Sequence, residues 1–282
     1  PSAQYSFRVF SAEEKDMLKE YLDSDSSLVK AAFLTSENEN LLSISVHHFL
    51  IDLVSWEILL KDFLSLTGQL KNGEEISLPA KTTSFMMWSE KLENYSHQIS
   101  EDTRDYWENV SLSLDKLCPL SAENDEIQKA ERYSFTFPEE ISDKITNTVN
   151  RVYGTRTNEV LLTALGLAAG KITGTAAGIA VESHGRTELN ETIALDRTVG
   201  WFTSCYPVVV ENVSGEADAL ISVKETMRRI PGSGIDYLLL SEGLHKNTDI
   251  IFNYYRNTLR EDRGKSVLRD FNSENCLFRN KI

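Results

Sequence analysis

The chain has 282 residues, 41% hydrophobic and 26% charged, with a net charge of −14 at pH 7. That length supports a large buried core in one or two domains, and the composition argues against wholesale disorder and against an apolar run long enough to span a membrane. The acidic balance argues against nucleic acid or an anionic membrane surface as partner, because both demand clustered Lys and Arg. Cys118, Cys205 and Cys276 are widely spaced, odd in number and lack a C-x-x-C pair. That pattern fits reduced cytosolic thiols better than a disulfide frame or a zinc site. The opening Pro1-Ser2-Ala3-Gln4-Tyr5 has no initiator Met, basic segment or apolar signal core. A cytoplasmic location, in a domain cut from a longer chain, is the expectation.

In chain order, residues 12–23 predict a helix capped by Ser11, with Met17, Leu18 and Leu22 on its apolar side. Residues 28–35 and 41–47 predict a hairpin across a polar turn. Strand periodicity puts Leu42, Ile44, Val46 and His48 on one face, and so turns His48 inward with the apolar set. Trp56, Leu59, Leu60, Phe63 and Leu64 recur at helical spacing, with Asp52 or Ser55 as cap and an end near Gly68. Residues 85–110 predict helix with a break around 96–100. The polar, irregular stretch 113–132 is the expected connection between a lobe at 1–112 and a second at 133–282.

Residues 133–137 then predict a strand, Pro138 begins a helix to 149, and Thr157 opens a helix apolar on nearly all sides, as for a buried core helix. Residues 178–182 predict a strand of small residues. The run at 198–210 predicts a loop leading into a strand, 217–229 a helix stopped by Pro231-Gly232-Ser233-Gly234, and 249–254 a final strand. The charged stretch 256–282 has weak pattern.

The chemistry-bearing stretch is His47-His48-Phe49-Leu50-Ile51-Asp52, followed by Leu53 and Val54-Ser55-Trp56. Adjacent strand residues face opposite sides, which disfavours one metal ion shared by the two histidines. A buried histidine satisfied by hydrogen bonds, with Asp52 as a cap, and a general base remain as readings of these residues alone.

This stretch resembles the HHxxxDG signature of condensation-type domains of nonribosomal peptide synthetases, and the trailing Val-Ser-Trp resembles the form typical of their epimerization subfamily. Glu182-Ser183-His184-Gly185-Arg186 resembles the EGHGR element of epimerization domains. The run from Arg197-Thr198-Val199-Gly200-Trp201-Phe202-Thr203 to Tyr206-Pro207-Val208 resembles their RTVGWFT…YPV segment. Arg229-Ile230-Pro231 with Gly234-Ile235-Asp236-Tyr237, and Ile251-Phe252-Asn253-Tyr254, echo two further elements in the right order.

The resemblance implies an α/β fold of two chloramphenicol-acetyltransferase-like lobes forming a V around a central tunnel, here with a partial N-terminal lobe and a shortened C-terminal one. It implies inversion of the α-carbon of an aminoacyl or peptidyl thioester. The substrate rides on the phosphopantetheine arm of a carrier protein, beside neighbouring synthetase domains, with no intrinsic cofactor or metal. His48 and Glu182 become the acid/base pair, since a histidine, with an unperturbed pKa of about 6.5, gives or takes a proton near neutrality. His47 and Asp52 support the histidine loop, Asp52 through an ion pair with an arginine. Tyr206, Asn253 and Tyr254 supply donors to the enolate oxygen. Ser55, Trp56, His184, Arg186 and Trp201 line the substrate path, although bracing and packing are the plainer roles for His184, Arg186, Trp56 and Trp201.

Leu53 and Ser183 stand where the family pattern has glycine, and Asp196 where serine is common. Leucine resists the backbone angles that glycine permits. Amide-bond formation by a condensation domain, and a non-catalytic scaffold that binds a carrier protein, are the alternatives.

Overall fold

The computed structural model describes residues 5–24, 27–37, 40–117, 132–187, 189, 192–240, 248–255, 269–270 and 278–281. The chain begins with β1 (Tyr5–Ser11), a 3-10 turn (Ala12–Glu14), α1 (Lys15–Asp23), β2 (Val29–Thr35) and β3 (Asn40–Val46). A 3-10 turn at His48–Leu50 leads into α2 (Leu53–Asn72), followed by α3 (Phe85–Ser96) and α4 (Glu101–Leu114). Next come α5 (Glu139–Asp143), a π-helical stretch (Lys144–Val149), α6 (Asn150–Tyr153), α7 (Thr157–Thr173), β4 (Ala177–Ser183) and β5 (Ser204–Val210). The chain continues with α8 (Glu216–Arg229), a 3-10 turn (Pro231–Gly234), α9 (Ile235–Leu239), β6 (Ile250–Phe252), β7 (Arg269–Asp270) and β8 (Phe278–Lys281). The architecture is the mixed α/β one that the sequence predicts, and among the described residues no helix is long and apolar enough to cross a membrane.

By its contacts the chain forms two compact units. One contains Pro1–Phe85, Ala194–Trp201 and Arg256–Ile282, and the other Met86–Ile193 and Phe202–Tyr255. Most of the expected connection at 113–132 lies outside the described residues.

In the first unit a sheet of order β1-β2-β3-β8-β7 is built on a parallel β1–β2 pair connected through α1, and on the antiparallel β2–β3 hairpin. The helix lays Leu18, Tyr21 and Leu22 over Phe10 and Ala32, so the covered side of β2 is that of Lys30 and Ala32. Lys30 is 5% exposed, and its ammonium donates to the carbonyls of Leu22 at 2.7 Å and of Ser24, satisfying the C-terminal end of α1 with a cation.

The register pairs Ala32 with Ser43, and Ser43 is 2% exposed while Leu42, Ile44 and Val46 are only half-buried. The strand phase therefore runs opposite to the sequence expectation. β1, β7 and β8 form where the sequence carries no clear strand pattern. α2 runs past Gly68 and stops at Gly73, whose φ of 70° supplies the left-handed cap.

In the second unit β4 lies between antiparallel β5 and parallel β6. Its core gathers Trp107, Leu162, Ile179, Val181, Tyr206, Val208, Val210, Val223 and Tyr237. α7 is one-sided rather than buried all round: Leu162, Gly166, Ala169 and Gly170 are covered, and Ala164 and Ala168 are exposed. Gly166 sits so close to Val210 that any side chain there would overlap it. Among the described residues, 132–138 have no strand pairing, unlike the expected strand at 133–137.

Candidate functional site

The singled-out residues fall into two settings, one in each unit. In the first, β3 ends at Val46 and the chain turns. His47 is extended (φ −60°, ψ 135°), its Nδ1 accepts the Phe49 N–H at 3.2 Å, and Leu50 N–H returns to the His47 carbonyl at 2.9 Å. His48 therefore belongs to a 3-10 turn, where strand alternation has no hold, and it is exposed instead of inward-facing. Its ring lies 4.8 Å from that of Trp201, while Trp201 stacks on Phe49 at 5.7 Å and 13°.

Buried Ile51 and Asp52 anchor the end of this loop, and Asp52 Oδ1 accepts the Ser55 N–H at 2.7 Å as the N-cap of α2. Leu53 is the first helical residue. Among the described residues Ser233 is the one non-glycine with positive φ, so leucine carries no strain where the family pattern has glycine.

Ser55 and Trp56, expected along the substrate path, are 0% and 6% exposed. The Ser55 hydroxyl donates to the Gly200 carbonyl at 2.9 Å and accepts the Gly200 N–H at 3.0 Å. The Arg197 guanidinium meets both Asp62 carboxylate oxygens at 2.9 Å, placing this arginine of the RTVGWFT-like run on Asp62 rather than on Asp52. Thr198 donates to the Thr83 carbonyl at 2.6 Å, so residues 197–200 are tied to α2 and to 82–83.

In the second setting Glu182 is the penultimate residue of β4, half-buried, opposite Cys205. Its Oε2 accepts from the Asn253 amide, which also donates to the Tyr255 hydroxyl at 2.6 Å. With its N–H groups given to Glu182 and Tyr255, Asn253 orients the glutamate rather than steadying an enolate. Tyr254 is half-buried.

Tyr206 pairs with Val181 and so faces the opposite side of the sheet from Glu182; it is 5% exposed, within the core. Burial pushes its phenol up to about 12, with Tyr106 and Cys205 adding to the effect. The expected enolate contact of Tyr206 does not fit this placement. Burial also raises the Cys205 thiol, followed by the facing Glu182 carboxylate.

Exposed His184 accepts the Arg186 N–H on Nδ1 at 3.1 Å, and the Arg186 guanidinium lies 4.2 Å from the Phe202 ring centroid. Both contacts lie within the second unit, around the loop after β4.

Phe49, Tyr255 and Cys205 escaped the sequence reading. Phe49 occupies an unspecified position of the histidine motif, Tyr255 follows β6 beyond its last paired residue Phe252, and Cys205 is brought to Glu182 only by the cross-strand register. Asp236 escaped as well, within a motif that was noticed. It is fully buried, Oδ1 accepts the Tyr95 hydroxyl at 2.6 Å, and Oδ2 has no hydrogen-bond partner among the described residues.

Desolvation raises the Asp236 carboxyl above its ordinary 3.8, against the opposing effect of the Tyr95 hydrogen bond. A raised acid binds its proton more tightly in the folded state, so its contribution is full below the ordinary value and lost as pH rises through the folded one. Asp236→Asn is expected to remove this loss. Thermal melts from acid to neutral pH should show the variant gaining on the parent as pH rises.

Comparison with known proteins places these features. The condensation-domain family model matches residues 9–272. A linear gramicidin synthase of Brevibacillus parabrevis is 42% identical over 209 residues, covering 71% of this chain and 4% of that protein. Bacitracin synthase 2 of Bacillus licheniformis is 35% identical over 247 residues, covering 82% of this chain and 9% of that protein. The crystal structure of the epimerization domain from the third module of tyrocidine synthetase B superposes with a TM-score of 0.74 at 30% identity, over 89% of this chain and 64% of that one. The first condensation domain of the calcium-dependent antibiotic synthetase shares the fold, with a TM-score of 0.63 at 16% identity over 88% of this chain and 61% of that one. The chain thus spans a small fraction of the synthetases it matches and under two thirds of the epimerization-domain structure. With a family model along nearly its whole length and a synthetase relative at 42% identity, the chain belongs to the condensation-domain superfamily of nonribosomal peptide synthetases.

Proposed function

We propose that this domain epimerizes the α-carbon of an aminoacyl or peptidyl thioester, delivered on the phosphopantetheine arm of a carrier protein within a cytoplasmic synthetase. The thioester carbonyl acidifies the α-proton. One group removes it, negative charge passes to the enolate oxygen, and a proton is returned to the other face of the carbon. The step balances with no redox change and consumes no co-reactant.

His48 and Glu182 are the two proton-transfer groups, one for each face. The observation that carries the reading is the setting of Glu182. It starts an EGHGR-like motif, lies half-buried, and has one carboxylate oxygen held by Asn253, which leaves Oε1 for proton transfer. Similarity to a solved epimerization domain at 30% identity supports the same choice.

The family model itself describes condensation domains, which keeps amide-bond formation as the second reading, with His48 assisting attack by an amine. The two separate in one assay. A carrier protein loaded with an L-aminoacyl group is incubated with this domain, within its synthetase, in deuterated water. Deuterium and D-isomer accumulating at the α-carbon are the expected result. Absence of both overturns epimerization, and dipeptide formed with an acceptor carrier establishes condensation.

A further inference from the structure

We infer that Ser55 is a positioning residue that sets the His48 ring through Gly200 and Trp201. The inference rests on the reading of His48 as a proton-transfer group.

The first turn of α2 does two jobs with neighbouring atoms. Asp52 takes the Ser55 N–H and so closes the histidine loop onto the helix, and the Ser55 hydroxyl grips both backbone groups of Gly200. Ser55 is fully buried, so this grip is made away from water, where losing it leaves an N–H and a carbonyl to find new partners.

Gly200 is confined from another direction as well, since a Cβ there would overlap the Phe85 ring. Its backbone is thus set between a hydroxyl and an aromatic ring, and the next residue is Trp201. The indole of Trp201 is 40% exposed and has His48 at 4.8 Å, tilted by 44°, and Phe49 stacked at 5.7 Å. His47 lies edge-on to Phe49 at 4.7 Å, so the four rings form a continuous exposed stack on the turn.

An exposed histidine on a short turn has few constraints of its own. The largest flat surface against it is the Trp201 ring, whose backbone is located by Ser55. A displacement of Trp201 therefore reaches the imidazole while leaving the helix cap and the sheet untouched. The serine of the Val-Ser-Trp run acts on the chemistry without touching substrate.

The test reads the His48 ring directly. With histidine-labelled protein, the His48 ring carbon–proton resonances are assigned by their disappearance in His48→Gln. Ring current from an indole makes these resonances sensitive to Trp201, and Trp201→Leu gives their position when the indole is gone. Ser55→Ala is expected to move them toward the Trp201→Leu position and to lower the exchange kcat about 10-fold, with KM for the loaded carrier within about twofold. Ser89→Ala, which removes an exposed hydroxyl bonded to the Met86 carbonyl, should leave them in place.

Unmoved His48 resonances in folded Ser55→Ala overturn the inference, whatever the activity. Where Ser55→Ala fails to fold, Ser55→Cys decides by the same readout, since it keeps the volume and weakens both hydrogen bonds. If the parent catalyses no exchange at all, the proposed function falls, while the resonance shifts still decide the positioning role.

Discussion

Glu182→Gln and His48→Ala should each lower inversion of the carrier-bound aminoacyl group by about 10²–10⁴-fold, the range for loss of a general acid or base. The two variants should fail differently. Inversion needs one group for each face, so removing one leaves the other able to take and return a proton on its own side. With carriers loaded in turn with the L- and the D-isomer, one variant should retain deuterium wash-in to L without forming D, and the other should retain wash-in to D without forming L. Mass spectrometry of the hydrolysed amino acid with chiral separation reads both.

Loss of all exchange in one variant and full inversion in the other would replace the two-group mechanism with a single base. Neither substitution should disturb folding by more than about 0.5 kcal/mol, because His48 is exposed and glutamine is nearly isosteric with Glu182. Asn253→Ala should mimic Glu182→Gln more weakly, since it frees the carboxylate from its orienting amide without removing it.

What the sequence made legible follows from how strongly each element is patterned. The hairpin, α2, α7 and β4 carry long periodic runs, and each appears within a few residues of its expected place. β8 is four residues of mixed polarity, paired to β3 through backbone hydrogen bonds that no side-chain pattern announces. The phase of β3 departs from its hydrophobic pattern for a specific reason. The covered face holds Ser43 opposite Ala32 and a buried Lys30 whose charge is met by helix carbonyls, so polarity and burial part company there.

The histidine motif led to His48 through resemblance, while the strand periodicity that turned it inward does not apply, because the strand ends before it. Tyr206 failed in the complementary way. A motif position says nothing about sheet face, and cross-strand pairing with Val181 turns this tyrosine into the core, away from Glu182. Both errors are errors of direction rather than of element. Side-chain direction at a strand end depends on the residue at which the ladder stops, and short turns such as His48–Leu50 are set by tertiary contacts more than by local pattern.

The loop after Glu182 should be the least tolerant part of the candidate site. Gly185 has a φ of 61°, and a Cβ there would overlap the Phe202 carbonyl oxygen. Gly174, the C-cap of α7, has a φ of 74° with nothing within 4 Å of the same added atom. Alanine is strained at both by about 1–2 kcal/mol for the left-handed backbone alone. The difference between the two variants thus isolates the contact.

Gly174→Ala should lower stability by about 1 kcal/mol, as expected for backbone strain alone. Gly185→Ala should cost about 3 kcal/mol or more, because the atom it meets is backbone in the run entering β5 and cannot rotate aside. Urea titrations followed by far-UV circular dichroism compare them. Equal midpoints would mean that the loop yields freely. A large gap would mean that the chain from Glu182 to Arg186 is pressed onto Phe202, with the arginine stack on that ring as its outer clamp, so the carboxylate is held by packing behind it as well as by Asn253 in front.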